Sequence, residues 1–172
     1  MGNKFKVRPS SIEGYGVFAT SLIVKRELIC RMKGEEISVP ELKKRYEKGE
    51  ERLSDPLQIE EAKYIDLGKP YVLINHSCNP NSAIINKNDL VAIRDIQPEE
   101  EISYDYSATE WTDNSFWEGY DEWFMECNCG SSLCRKKIAE FLLLSDNIKE
   151  NYVRERRVTD YILEKFKRYT KK

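Results

Sequence analysis

One short segment gathers an unusual set of chemically versatile side chains. Residues 74–81 read Ile-Asn-His-Ser-Cys-Asn-Pro-Asn and contain His76, the only histidine of the 172 residues, two positions before Cys78. A histidine in this setting can act as a general base, bind a metal or pack in the core. For a lone histidine the core role is the ordinary one, so the other motifs must decide among the three.

Three further cysteines lie close together in sequence. Cys127, Cys129 and Cys134 have the spacing Cys-x-Cys-x4-Cys, which supplies three thiolates and leaves a tetrahedral zinc ion one ligand short. The single residue between Cys127 and Cys129 suits a shared metal better than a disulfide framework, and the total of five cysteines is odd. The alternative is a group of reduced, unliganded core cysteines.

Two tyrosines have the spacing of residues on one face of a strand. Tyr104 and Tyr106 are two positions apart, so a strand would point both rings into one channel and Asp105 to the opposite side. From spacing alone, ordinary core aromatics are the more common interpretation. Near the start, Gly14 and Gly16 flank Tyr15 where a backbone without Cβ atoms can approach a ligand, although an isolated Gly-Tyr-Gly is usually a turn.

Taken together, these motifs resemble the SET-domain protein lysine methyltransferases with a post-SET zinc-binding segment. Residues 74–81 are similar to the central signature of that family. Residues 13–19 (Glu-Gly-Tyr-Gly-Val-Phe-Ala), 99–106 (Glu-Glu-Glu-Ile-Ser-Tyr-Asp-Tyr) and 127–135 (Cys-Asn-Cys-Gly-Ser-Ser-Leu-Cys-Arg) match its other motifs in the family's order. Four motifs in order over residues 12 to 138 are far more specific than any one of them.

The resemblance implies an α+β, β-rich fold. We expect small β-sheets with a pseudoknot, in which the Tyr-Asp-Tyr strand passes under a loop, an unusual threading for a protein. It further implies a SET domain over 1–110, a post-SET zinc segment over 111–138 that closes as a lid, and a C-terminal helical extension over 139–172. No Gly-x-Gly-x-x-Gly turn lies between a strand and a helix, which disfavours a Rossmann methyltransferase.

The same resemblance assigns the site. The cofactor is S-adenosylmethionine, with S-adenosylhomocysteine as product, and His76 binds it rather than acting as an acid or base. The cofactor-binding residues that the resemblance implies are Glu13, Gly14, Tyr15, Gly16, Asn75, His76, Tyr106 and Asn128. Tyr106 takes the catalytic position beside the transferring methyl group. Tyr104 occupies the position that governs the number of methyl groups, and a tyrosine there indicates monomethylation.

The resemblance also completes the metal site and the lid. Cys78 joins Cys127, Cys129 and Cys134 around one structural Zn²⁺, which leaves Cys30 as a free thiol. Apolar groups of the lid are expected from Trp123, Phe124 and Ile138, with ordinary packing as the alternative for each.

The chain departs from the family pattern at two places. Val72-Leu73 stand where the family often has Arg-Phe, and no tyrosine around Asp55 to Leu57 matches one that often lines the lysine channel. Tyr64 is the candidate substitute.

Composition and charge limit the remaining predictions. A chain of 172 residues suits one domain with its own core, 34% of it is charged, and it has no apolar run long enough to span a membrane. Met1 to Pro9 lacks the pattern of a secretory signal, so we expect an intracellular protein, cytoplasmic or nuclear in a eukaryote. Residues 95–126 hold eleven acidic and no basic residues, whereas 148–172 hold nine basic and four acidic residues.

The acidic stretch has two interpretations. It is either a solvated face or a surface that attracts a protein substrate with a lysine in a basic segment. A nucleic-acid contact by the basic C-terminal region is the weaker expectation, because no recognition motif accompanies it.

The apolar pattern predicts strands over 15–19, 28–32, 57–59, 64–67, 83–85 and 90–93, a short helix over 40–49, and a helical C-terminus broken at Glu155. The leading hypothesis is monomethylation of a lysine on a histone-like or chromatin protein tail. The alternatives are lysine methylation of a non-histone protein, and a catalytically silent SET and zinc interaction module.

Overall fold

A computed structural model of the chain describes residues 4–112, 117–118 and 124–171. Eleven short strands and three α-helices are present in these ranges. The strands are β1 (Phe5–Pro9), β2 (Tyr15–Ala19), β3 (Leu28–Arg31), β4 (Gly34–Ser38), β5 (Leu57–Glu60), β6 (Lys63–Leu67), β7 (Ser82–Ile85), β8 (Asp89–Ala92), β9 (Glu101–Ile102), β10 (Phe124–Glu126) and β11 (Lys137–Ala139). The helices are α1 (Val39–Glu47), α2 (Asp146–Arg154) and α3 (Asp160–Tyr169).

The described strands form four small antiparallel sheets, with the orders β1-β2-β9, β3-β8-β7, β4-β6-β5 and β10-β11. This confirms the expected β-rich α+β fold. Strand β1 has no counterpart in the sequence-based prediction. Its burial explains the omission: Phe5 is buried while Val7 remains 42% exposed, so the strand has no continuous apolar face.

Hydroxyl side chains cap the N-termini of α1 and α3. Ser38 caps α1 by accepting a hydrogen bond from the Glu41 amide at 3.4 Å, and Pro40 lies in its first turn. Thr159 caps α3 in the same way, through the Ile162 amide. The predicted break at Glu155 is confirmed, because the chain leaves α2 at that residue and starts α3 five residues later.

Two of the four apolar clusters among the described residues hold most of the sheets and the C-terminal helices. The larger lies among the sheets and includes Val17, Met32 and Ile102. The second joins the C-terminal helices to the segment after the Tyr-Asp-Tyr motif, through Trp111 and Phe141, whose stacked rings lie 5.9 Å apart. Burial of such large rings is the main favourable term in folding, so this contact fixes the C-terminal region on the domain. No helix of the described residues is both long and apolar enough to cross a membrane.

Candidate active site

A cleft of about 260 Å³ lies where the N-terminal loop, the signature segment and the cysteine segment meet. It brings together most residues that the sequence analysis singled out, although up to 116 positions separate the predicted site residues in the chain. The predicted site residues that line it are Glu13, Gly14, Tyr15, Asn75, His76, Tyr104, Tyr106, Asn128 and Cys129. Apolar side chains such as Leu67, Leu73 and Ile138 complete the wall.

Gly16 lies behind the cleft wall. A Cβ atom at this position would collide with the carboxylate of Glu101, which also accepts a hydrogen bond from the Asn75 amide at 2.7 Å. Asn75 also donates to the backbone oxygens of Glu13 and Tyr15, at 3.4 and 3.2 Å. The glycine therefore permits a close contact that ties the Gly-Tyr-Gly loop to the signature. Gly14 has φ of +44°, a conformation that few side chains tolerate.

His76 is buried and neutral. Its exposed fraction is 4%, and burial lowers the pKa of the imidazole to about 4 against the opposing effect of Asp105. The Tyr106 backbone N–H donates to Nδ1 at 3.2 Å, so the ring proton resides on Nε2, which faces the Cys78 sulfur at 3.3 Å. The imidazole is thus held between the cleft and the cysteine cluster.

The two tyrosines share the cleft, but not through the geometry that was predicted. Strand β9 ends at Ile102, and Tyr106 begins a short 3-10 helix, Tyr106–Ala108. Tyr104 and Asp105 are extended, as a strand requires, but Tyr106 is not, because Asp105 accepts a hydrogen bond from the Ser107 amide and turns the chain. The rings of Tyr104 and Tyr106 nevertheless pack 4.8 Å apart, and Tyr106 donates its hydroxyl proton to the Ile74 carbonyl at 2.9 Å. Burial raises the pKa of both phenols, so both stay protonated at neutral pH.

The segment around Tyr104 pairs in parallel with the signature at His76. The Ser77 amide donates to the Tyr104 carbonyl at 3.1 Å, and the Tyr104 amide donates to the Asn75 carbonyl at 3.3 Å. This pairing places the Tyr-Asp-Tyr segment directly beside the signature loop, as the expected fold requires. It is also the direct physical reason that residues 30 positions apart share one cleft.

Asp105 connects three parts of the chain from the far side of the cleft. Its carboxylate is 2% exposed, accepts from Arg135 at 2.7 Å and from the Tyr152 hydroxyl on α2 at 2.8 Å, and lies 3.4 Å from His76 Nδ1. Arg135 and Tyr152 thus supply the hydrogen-bond donors that a buried carboxylate requires. The sequence analysis assigned no role to Asp105 or Tyr152, and a lone tyrosine on a helix gives no signal for this contact.

The four predicted metal ligands converge. The sulfur atoms of Cys78, Cys127, Cys129 and Cys134 all lie within 4.8 Å of one another, and those of Cys78 and Cys127 are 3.7 Å apart. A tetrahedral zinc with Zn–S bonds of about 2.3 Å would place its sulfurs roughly 3.8 Å apart, so the cluster fits such an ion. Backbone amides of Arg135 and Lys136 point at the sulfurs of Cys78 and Cys134, each at 3.3 Å, an arrangement that stabilises thiolates.

Other expectations are corrected by the structure. Tyr64 does not line the cleft: it is fully buried and donates its hydroxyl proton to Glu110 at 2.6 Å. In the expected lid, Ile138 is buried at the cleft, whereas Phe124 is 57% exposed; Trp123 lies outside the described residues. Residues that line the cleft without having been predicted include Tyr71, Arg52 and Asp55, which tertiary packing brings to the site.

The described carboxylates of the acidic stretch 95–126 do not gather at the cleft. Among its described carboxylates only Glu126 lines the cleft. Glu99 pairs with Lys6 and Arg8, and Glu100 pairs with Arg94. Glu110 is buried. For these residues the structure favours the interpretation of locally paired or buried groups.

Comparison with known proteins agrees with this geometry. The SET domain model matches residues 14–107, more than half of the chain. The fold is shared with the crystal structure of the methyltransferase domain of the human histone-lysine N-methyltransferase SETMAR, with a TM-score of 0.61. The two sequences are 24% identical, and the match covers 81% of this chain and 59% of that one. The chain belongs to the SET domain family.

Two curated relatives extend the match beyond residue 107. A variant-silencing SET domain-containing protein of Plasmodium falciparum is 34% identical over 146 residues, which cover 75% of this chain and 5% of that protein. The histone-lysine N-methyltransferase, H3 lysine-4 specific, of Saccharomyces cerevisiae is 32% identical over 139 residues, 73% of this chain and 12% of the relative. The chain thus spans a small part of the length of these two relatives.

Proposed function

We propose that this chain is an S-adenosylmethionine-dependent protein-lysine N-methyltransferase. The observation that carries the proposal is the convergence of Tyr104, Tyr106, Asn75 and His76 on one cleft with the Gly-Tyr-Gly loop. Family membership supports the same activity, since relatives are named histone-lysine N-methyltransferases. The silent interaction module has less support, because Tyr106 retains both its phenol and its place in the cleft.

The loop Glu13–Gly16, the signature residues Asn75 and His76, and Asn128 would hold the cofactor. When bound, it would supply a methyl group on a positively charged sulfur. The exposed ring of Tyr15 and the apolar side chains of the wall would offer it packing surfaces, and the backbone groups ordered by the Asn75 hydrogen bonds would offer it polar partners. His76 acts as a fixed hydrogen-bonding group, because its buried ring stays neutral throughout the physiological range.

Transfer requires a neutral amine. A free lysine has a pKa near 10.4, so deprotonation at neutral pH costs about 4 to 5 kcal/mol. An apolar wall disfavours the ammonium and lowers this cost, and the proton leaves to solvent. The neutral amine would then accept the methyl group that the cofactor supplies, and the electron pair of the broken C–S bond would stay on sulfur. Tyr106 and neighbouring carbonyls align the three atoms, with Tyr104 limiting the space beside the nitrogen.

Zinc fits the cysteine cluster, and we propose one structural Zn²⁺ on Cys78, Cys127, Cys129 and Cys134. Cys78 belongs to the signature and the other three cysteines to residues 111–138. The ion would therefore join the lid to a SET domain over 1–110. The proposed helical extension over 139–172 contributes no ligand and would form a separate segment. Elemental analysis should find one zinc per chain. Cys78→Ser should reduce occupancy sharply, whereas Cys30→Ser, which lies outside the cluster, should retain it. Full occupancy in Cys78→Ser contradicts the ligand set.

The substrate class that we propose is a lysine-bearing histone tail, with histone H3 as the first candidate and the nucleus as the site of action. Support comes from the relatives specific for H3 lysine 4. The second candidate is a non-histone protein. The test is transfer from isotope-labelled S-adenosylmethionine to recombinant histone octamers, to an H3 tail peptide and to fractionated cell proteins, followed by mass spectrometry of the labelled residue. Label on lysine supports the proposal; an absence of label on every protein fraction, with the cofactor bound, supports the silent module.

A further inference from the structure

An arginine bridges the mouth of the cleft. Arg52 donates from Nε to the Asp55 carboxylate at 3.0 Å, and its Nη1 lies 3.5 Å from the Glu13 carboxylate. Glu13 belongs to the Gly-Tyr-Gly loop and Asp55 to the segment that enters β5, and all three side chains line the same cleft as Tyr104 and Tyr106. One cationic side chain therefore lies between two carboxylates that come from different parts of the chain.

The two carboxylates are not equivalent. The Asp55 side chain is only 21% exposed, against 62% for Glu13 and 66% for Arg52. The Ser54 hydroxyl donates to the second Asp55 oxygen at 3.1 Å, which fixes the orientation of the carboxylate. Glu13 is a rim charge that water screens, whereas Asp55 is a partly desolvated charge in a set position, where a cation binds more strongly.

The charge of Asp55 also affects the two tyrosines. Burial is the main cause of the raised pKa of the Tyr106 phenol, and the charge of Asp55 comes second; for the Tyr104 phenol the effect of Asp55 follows those of burial, Tyr106 and Glu110. The other acidic and basic side chains among the described residues that line the cleft are Glu13, Arg52 and Glu126. Asp55 is thus the most enclosed carboxylate that an amine would meet on its way to Tyr106. The family often has a tyrosine near this stretch, and this chain has none at residues 55–57.

We propose that Asp55 binds the ammonium group of the substrate lysine. Arg52 occupies the same position on the Asp55 carboxylate until the substrate lysine replaces it. The inference rests on the proposed function and adds how this chain selects a protonated lysine. Arg52 can leave this position readily, because its side chain is 66% exposed and water screens its charge. The ammonium then loses its proton to solvent before transfer, so Asp55 acts in binding and is not the base.

Binding of two matched peptides tests this role. The probes are an H3 tail peptide with lysine at position 4 and the same peptide with norleucine there, which keeps the aliphatic chain and removes the charge. Affinities are measured by calorimetry with S-adenosylhomocysteine present. We expect Asp55→Asn to weaken the lysine peptide about tenfold and the norleucine peptide less than twofold, and Asp55→Glu to recover part of the loss. Arg52→Gln should strengthen the lysine peptide or leave it unchanged.

Glu60→Gln is the control, because Glu60 forms an exposed pair with Lys63 outside the cleft and its loss changes the net charge equally. An equal weakening of both peptides by Asp55→Asn, or a loss as large in Glu60→Gln, overturns the inference while the proposed function stands. In steady-state kinetics Asp55→Asn should raise KM with kcat within threefold. A wild-type chain that neither binds nor methylates the lysine peptide overturns the inference for this substrate, and methyl transfer to other proteins then decides the proposed function separately.

Discussion

The Tyr106 hydroxyl is the group whose removal should separate binding from chemistry. It donates to the Ile74 carbonyl, so it is already oriented within the cleft before a substrate arrives. Tyr106→Phe keeps the ring that packs on Tyr104 and removes only this polar atom. If the hydroxyl acts mainly in the transition state, kcat should fall by about a hundredfold while the dissociation constant of the cofactor changes less than fivefold. Calorimetry and single-turnover rates measure the two effects, and an unchanged kcat would remove Tyr106 from the mechanism.

Tyr104 should set the number of methyl groups. Its buried ring faces the cleft, and its hydroxyl forms no hydrogen bond to any residue that the structure describes, so it is available for an amine or a water molecule. Tyr104→Phe removes this partner and frees space beside the nitrogen. We expect the wild-type chain to yield mainly monomethyl-lysine and the variant to shift toward di- and trimethyl-lysine, as read by mass spectrometry at equal turnover. The same product distribution from both proteins contradicts the assignment.

Site residues that belong to short motifs could be identified from the sequence, because local spacing already constrains them. Asn75, His76 and the cysteine cluster are of this kind. Asp55 and Tyr71 could not, since their place in the cleft depends on how β5 and the segment after β6 pack. Tyr64 was wrongly considered for the cleft for the same reason: its hydroxyl pairs with Glu110, 46 positions away, and no local pattern encodes that partner.

At the scale of elements, α2 reaches the site through Tyr152. The helix lies outside residues 14–107, yet its tyrosine donates to the Asp105 carboxylate that Arg135 also binds. The apolar pattern predicted a helical C-terminus broken at Glu155. It did not predict the buried polar contact, since the tyrosine hydroxyl gives no periodic signal. Helix α2 therefore supports Asp105, whose carboxylate lies 3.4 Å from His76 Nδ1, through the hydrogen bond from Tyr152.

Tyr152→Phe should destabilise the domain by about 1 kcal/mol, the usual net contribution of one such hydrogen bond. The loss should be accompanied by weaker cofactor binding, because Asp105 positions the segment that carries Tyr106. Urea unfolding and calorimetry measure the two quantities. Tyr161→Phe is the matched control: it removes a phenol on α3 that interacts with Lys165 and has no contact with Asp105. If both variants lower cofactor affinity equally, the connection through Asp105 is not the cause.

At the scale of the whole molecule, the charge asymmetry of the sequence is largely balanced within the fold. Lys165 pairs with Glu61, and Lys167 and Arg168 lie near Glu164, so part of the basic C-terminal charge is balanced by carboxylates. The same holds for much of the acidic stretch. The composition gives the number of charges but not which charges pair, because the partners of Glu99 and Lys165 are about 90 and 104 positions away in the chain.

One carboxyl stands apart from this balance. Glu110 is buried between the sheets and the C-terminal helices, where desolvation raises its pKa to about 8, although the hydrogen bond from Tyr64 works in the opposite direction. The nearby charge of Glu140 adds to the rise, and the Tyr161 phenol also lies near. In the unfolded chain the same carboxyl ionises near pH 4.5. The folded protein therefore retains a proton that the unfolded chain has lost throughout the range between these values.

Stability from this group is fully present below pH 4.5 and is lost as the pH rises toward 8, because the unfolded state binds fewer protons over that range. Glu110→Gln keeps an oxygen that can accept from Tyr64 and stays neutral at every pH. We expect the free energy of unfolding of the wild-type chain to fall by on the order of 4 kcal/mol relative to this variant between pH 5 and pH 8.5. Urea titrations at both pH values measure the difference, with Glu60→Gln as the exposed control. A wild-type chain and a Glu110→Gln variant whose stabilities change in parallel with pH would show that Glu110 is ionised in the folded protein.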